Sequence, residues 1–272
     1  YNAGVKRIVF FSALVVLPVA FALAQPYDLI FRNGRVVDGT GNPAFFADVA
    51  VKEGKIPAIG KVAGDAKREI DARGLIVAPG FIDVHTHADE VAEMPLAENF
   101  LRMGVTTIVV GNCGGSALDV KRFFREVEET NVSVNVATLI GHNTVRGKAM
   151  GGSFMRPPSD AELQTMRELV EQAMKDGAVG LSTGLIYLSG VYAKTDELIE
   201  LAKVASRYGG IYATHQRSEG TGIYGSLDEI FRIAREAQIR AEISHLKLSG
   251  PSAWGQADKV LGAIEKARAE GL

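Results

Sequence analysis

The residues with the most evident chemistry are five histidines and one cysteine. His85 and His87 stand at i and i+2 at the end of the largely apolar run Gly80-Phe81-Ile82-Asp83-Val84. In a β-strand that spacing points both imidazoles to one face, where they can share a metal ion. Cys113 follows the run Thr106–Gly111, His142 follows Val132–Ile140, His215 follows Ile211–Thr214, and His245 follows Ala241–Ser244. Histidines placed by chance would fall on helices and loops as often as at strand ends. Their concentration at strand ends predicts a metal site. Zinc accepts imidazole and thiolate ligands, and a catalytic zinc keeps one position open for water. Such a site ionises water near neutral pH and polarises a carbonyl. Amide hydrolysis also needs a group that passes a proton to the leaving nitrogen. No carboxylate in the chain stands at a strand end in a context that marks it for that work.

The elements that must position these groups begin at Gly80. Apolar strand candidates alternate from there with amphipathic segments that carry helix start signals. Ser159-x-x-Glu162 and Ser226-x-x-Glu229 read as capping boxes, and Thr195 reads as a third N-cap. Strand–helix alternation predicts parallel strands with right-handed crossovers. A dinucleotide-type sheet would carry a glycine-rich phosphate loop after its first strand. Here that strand ends in His-Thr-His. The expected fold is therefore α/β, a TIM-like (β/α) barrel with its site at the C-terminal rim of the strands. Only six strand–helix units can be counted, where a complete barrel has eight. The expectation is a barrel truncated after about six units, inactive as it stands. Residues 25–79 read as short strands separated by Asn33-Gly34, Gly39–Asn42 and Glu53-Gly54, a small β-sandwich half-domain. Pro57 within it suits an edge strand.

Composition sets the outer bounds. The chain has 272 residues, 47% of them hydrophobic, and a net charge of -2. It can bury a sizeable core, and its mixed charges offer no basic patch for a nucleic acid. Residues 1–24 are a separate object: Lys6 and Arg7, the apolar run Ile8–Leu23, and the small-residue exit Ala22-Leu23-Ala24. This is the pattern of a secretory signal peptide, with cleavage leaving Gln25. The mature protein is then expected in the periplasm or outside the cell, free of the membrane. A lone thiol is a liability in an oxidising compartment, and metal ligation would account for Cys113.

Six segments in order carry a family resemblance: GFIDVHTH, GVTTIVVGNCGGS, LIGHNTVRG, GAVGLSTGLIY, YATHQRSEG and ISHLKLSG. The first resembles the entry motif of the amidohydrolase superfamily. Together they resemble the D-aminoacylase and N-acyl-D-amino-acid deacylase branch over about residues 27–272. The resemblance implies metal-dependent hydrolysis of the N-acyl bond of N-acyl-D-amino acids, small-molecule substrates, with one or two zinc ions. It implies that His85 and His87 hold one metal and that His215 and His245 hold the other. Cys113 would stand where relatives of hydantoinase type use a carboxylated lysine. Lys247 matches a residue that holds the substrate carboxylate, and Tyr187 and His142 match positions near the substrate. The family's catalytic aspartate would lie beyond Leu272. One rival is a cyclic amidase of hydantoinase or dihydroorotase type, which would want a lysine on the fourth strand. That stretch, Ala178–Thr183, has none. A second rival is a non-catalytic metal-binding relative. The acyl group, the amino-acid side chain and the oligomeric state stay open.

Overall fold

The computed structural model describes residues 27–272. The expected signal peptide and Gln25 lie outside the described residues. The chain divides between Pro79 and Gly80 into two compact units.

The first unit holds strands β1 (Tyr27–Val36), β2 (Phe45–Lys52), β3 (Lys55–Gly60), β4 (Ala66–Asp71) and β5 (Ile76–Val77). They form one sheet ordered β3-β2-β1-β4, with β5 also paired to β1. A second, facing sheet is absent among the described residues of this unit, so the sandwich expectation reduces to a single layer. Asn33-Gly34 does not end a strand. It sits inside β1 as a bulge, with Asn33 at φ 60° and its N–H donating to Asp48 Oδ1 at 2.8 Å. A side-chain acceptor on the neighbouring strand there replaces the turn that Asn-Gly usually makes. Glu53-Gly54 does make the β2–β3 hairpin, both residues at positive φ. Pro57 lies on β3, an edge strand of the sheet.

The second unit carries β6 (Phe81–Asp83), β7 (Val105–Val110), β8 (Asn135–Thr138), β9 (Ile140–Gly141), β10 (Gly180–Gly184), β11 (Ile211–His215) and β12 (Arg240–Ile243). Every pairing among them is parallel. They fall into two sheets, β6-β7-β8 and β9-β10-β11-β12. Leu139 is the joint: its N–H reaches Val110 O at 3.0 Å, while Val179 N reaches Thr138 O at 2.8 Å. The strands thus follow one another in chain order. The described residues do not close this row into a barrel; what they form is a mixed α/β fold.

The helices are α1 (Glu98–Leu101), α2 (Val120–Glu129), α3 (His142–Met150), α4 (Asp160–Lys175), α5 (Thr195–Arg207), α6 (Ile223–Ala237) and α7 (Ala257–Ala269). The Ser159/Glu162 capping box starts α4 as read from sequence. The other two start signals are overruled. Gly222 precedes α6, and Ser226 lies within it, accepting from Ser218 N at 2.8 Å. Lys194 precedes α5, and Thr195 donates to Glu229 at 2.8 Å. In both cases the hydroxyl serves a contact between elements instead of its own helix end. Val170, Leu181, Leu198, Leu201, Tyr212 and Ile233 anchor the core between these helices and strands. None of the described helices is long and apolar enough to cross a membrane.

Candidate metal centre

The site is built at the C-terminal ends of the second unit's strands. Beyond β6, Thr86 turns inward and is tied to Val109 O by its N–H (3.1 Å) and its hydroxyl (2.9 Å). Alternation then sends His85 and His87 to the opposite side, their ring centroids 5.3 Å apart. Past β7 the chain bends sharply through Gly111, Cys113 and Gly114, all at positive φ. Asp89 Oδ1 accepts from Gly111 N at 3.0 Å, and Ser182 Oγ accepts from Gly114 N at 3.1 Å. A side chain at Gly114 would collide with Asn143 and the backbone of Gly184, so only glycine fits. This turn presents the Cys113 thiol to the histidines. His215 ends β11, and His245 follows β12 at φ 36°.

These donors converge. Cys113 Sγ lies 3.6 Å from His85 Nε2, 3.7 Å from His215 Nδ1 and 3.7 Å from His245 Nε2. A tetrahedral zinc with a sulfur at about 2.3 Å and nitrogens at about 2.0 Å separates those ligands by about 3.6 Å. The donor set therefore has the type and spacing of zinc ligands. Two overlapping sets can each hold an ion: His85, Cys113 and His245; and His215, Glu219 and His245. Burial, followed by the neighbouring His245, pushes the His85 and His215 imidazoles below their usual range. That shift favours the neutral imidazole, the form that binds a cation. Burial pushes the Cys113 thiol up to about 11, and the nearby Glu242 adds to the rise. Without a cation it is a thiol near neutrality; a bound metal would make the thiolate the favoured form.

Glu219, which the sequence reading did not single out, stands beside the cluster. Its Oε1 is 3.1 Å from His245 Nδ1 and 4.0 Å from His215 Nε2, and it pairs with Lys247. Those are the ring nitrogens turned away from Cys113; the carboxylate can orient His245 through a hydrogen bond, while His215 Nε2 is buried without a hydrogen-bond partner. Glu219 follows His215 by four residues in an irregular loop, with no strand or helix period to mark it. The loop is pinned where Ser249 N donates to Glu219 O at 2.7 Å.

The remaining expected residues are placed as follows. Tyr187 sits edge-on to His215, its hydroxyl 3.4 Å from Nδ1, and is half-exposed. Lys247 Nζ is 3.1 Å from His245 Nδ1 and half-exposed beside Glu219. His87 lines a cleft of about 550 Å³ with His85, Asp83, Asp89 and Glu90, and joins neither ligand set. His142 is fully buried, its Nε2 2.8 Å from Glu197 Oε1. Glu197 also pairs with the buried Arg146, which donates to Phe154 O at 3.0 Å and Arg156 O at 2.6 Å. Burial opposes the Glu197 charge, but hydrogen bonds and charge from His142 and Arg146 outweigh it and keep that carboxyl below its usual range. His142 has no surface to offer a substrate; it belongs to this buried network.

Residues 68–260 match the Amidohydrolase family. The chain is 38% identical to the D-aminoacylase of Alcaligenes xylosoxydans xylosoxydans and 36% identical to the N-acyl-D-glutamate deacylase of that organism. These matches cover 90% and 92% of the chain and 56% of each relative. The chain thus spans about half the length of the curated relatives it matches. The crystal structure of N-acyl-D-glutamate deacylase from Bordetella bronchiseptica, complexed with zinc and a phosphonate inhibitor, superposes with a TM-score of 0.86 at 37% identity, over 90% of this chain and 56% of that one. The chain belongs to the amidohydrolase family, alongside the D-aminoacylases and N-acyl-D-amino-acid deacylases.

Proposed function

We propose that the protein hydrolyses the N-acyl amide bond of N-acyl-D-amino acids with zinc as its metal. The observation that carries this reading is the convergence of three imidazoles on the Cys113 sulfur at 3.6 to 3.7 Å. Relatives it matches are named D-aminoacylase and N-acyl-D-glutamate deacylase. Cys113, His215 and His245 would hold the tighter ion, the sulfur lying 3.7 Å from both imidazoles; His85, 3.6 Å from the same sulfur, would hold a second, with His87 beside it. When bound, zinc acidifies a coordinated water and polarises the substrate carbonyl.

The chain's own side chains supply binding and orientation. Lys247, half-exposed beside the cluster, is the cation suited to a substrate carboxylate. Glu219 holds Lys247 and His245 in register, so the carboxylate site and the metal site are set by one residue. The Tyr187 hydroxyl, 3.4 Å from His215, is placed to donate to a substrate oxygen at the rim. The chain-order row of parallel strands supports a (β/α) barrel as the frame. The pattern in residues 1–24 supports export to the periplasm or beyond.

The test is turnover by the metal-loaded full-length protein of N-acetyl amino acids bearing methionine, glutamate and aspartate side chains, each as the D and L form. Release of the free D-amino acid, with the L form left intact, is expected for at least one side chain. Absence of release from every D substrate would overturn the reading.

A further inference from the structure

We infer that Asn143 is a positioning residue that clamps the Leu185–Ser189 turn, and with it Tyr187, against the metal-site histidine His215. The inference rests on the proposed role of Tyr187 for its catalytic consequence, but the clamp itself stands on geometry. Asn143 Nδ2 donates to two carbonyls of one short segment, Gly184 O and Leu188 O, each at 3.2 Å. Only the amino end of the side chain can serve two carbonyls, so the orientation of the amide is fixed. The segment between those carbonyls is the one that carries Tyr187. Its backbone is drawn in further by Tyr187 N to Gly184 O at 3.2 Å and Leu185 N to His215 O at 3.0 Å.

The other end of Asn143 faces the cysteine turn. A side chain at Gly114, next to Cys113, or at Gly190 would run into Asn143 Oδ1, and one at Gly184 would meet Cys113 O and the Tyr187 ring. Thr144 N donates to Gly114 O at 3.2 Å, so α3 meets the cysteine turn through its backbone as well. Behind Asn143, the preceding residue His142 is locked by Glu197 and Arg146 in a fully buried network. A buried, charge-paired network costs free energy to assemble and loses much of its value if any member moves. It is therefore a rigid footing for α3. Tyr187, by contrast, stands on a turn anchored at its buried ends, Leu185 and Ser189, while the side chains between them, Ile186, Tyr187 and Leu188, are exposed. The clamp is what fixes the hydroxyl beside His215.

The decisive variant is Asn143→Asp, which keeps size and the Oδ1 contacts but sets a carboxylate against two carbonyls; Asn143→Ala serves the same comparison. Amide hydrogen exchange of Tyr187 and Val191 should quicken by about tenfold, the scale set by losing two modest hydrogen bonds. Exchange within α5 and the metal content should stay at wild-type values. In the deacylase assay Asn143→Asp and Tyr187→Phe should each raise KM, and the double variant should be no worse than either single one. Unchanged exchange at Tyr187 and Val191 would overturn the clamp, and additive effects in the double variant would overturn its action through Tyr187. Wild-type protein without deacylase turnover but with a clamp visible in exchange would count against the proposed function alone.

Discussion

One oxygen of Glu219 meets His245 Nδ1, the Lys247 ammonium and, at 4.0 Å, His215 Nε2. A carboxylate on the far nitrogen of a metal-binding imidazole fixes its tautomer and its aim. Glu219→Gln keeps the shape and removes the charge. It should weaken metal affinity about 10- to 100-fold, measured by competition with a chromogenic chelator. Affinity equal to wild type would show that the histidines are oriented by packing alone. The clustering of His85, His215, His245 and Cys113 is legible in the sequence because each follows an apolar strand, and the strand direction does the placing. Glu219 is not, because its position depends on how two loops meet, and neither loop has a period. His142 was read as lying near a substrate on its place in a motif; burial and the Glu197 carboxylate give it a different office.

At the scale of elements, α4 shows the strongest local signal. Ser159 Oγ accepts from Glu162 N, Glu162 accepts from Ser159 N, and Arg156 grips the same carboxylate at 2.7 and 2.8 Å. Ser159→Ala should cost about 1 kcal/mol in denaturant unfolding. The Arg156 hydrogen bond first, then the Ser159 backbone, hold the Glu162 carboxyl down to about 2. A carboxyl whose pKa falls on folding adds stability above its unfolded pKa and loses it as pH drops through the folded value. The melting-temperature advantage of wild type over Glu162→Gln should thus be complete at neutral pH and shrink toward pH about 2. An advantage that grew on acidification would contradict the assigned pairing. The same S-x-x-E pattern at Ser226 fails because Ser226 bonds Ser218 and Glu229 binds Arg217. Local capping signals are decided by whether a tertiary partner claims the side chain first.

For the whole molecule, strand–helix alternation predicts six parallel strands, but not the break at Leu139 that splits the run Val132–Ile140 into β8 and β9 and the row into two sheets. Apolar runs reveal a strand's existence; where its pairing breaks is set by the neighbours on either side. In the first unit the Asn33-Gly34 bulge was hidden for the same reason, since Asp48 on β2 decides it. Beneath these details is one claim: the second unit's strands deliver donors from across the chain to a single sulfur. Its most direct test is metal content after dialysis, by elemental analysis, for the full-length protein as wild type, Cys113→Ala and His85→Ala. Cys113 contacts all three imidazoles, so Cys113→Ala should lose the tight metal together with activity, while His85→Ala should lose at most the weaker one. Full metal content and full activity in Cys113→Ala would make the thiol a structural residue and contradict the centre proposed for this fold.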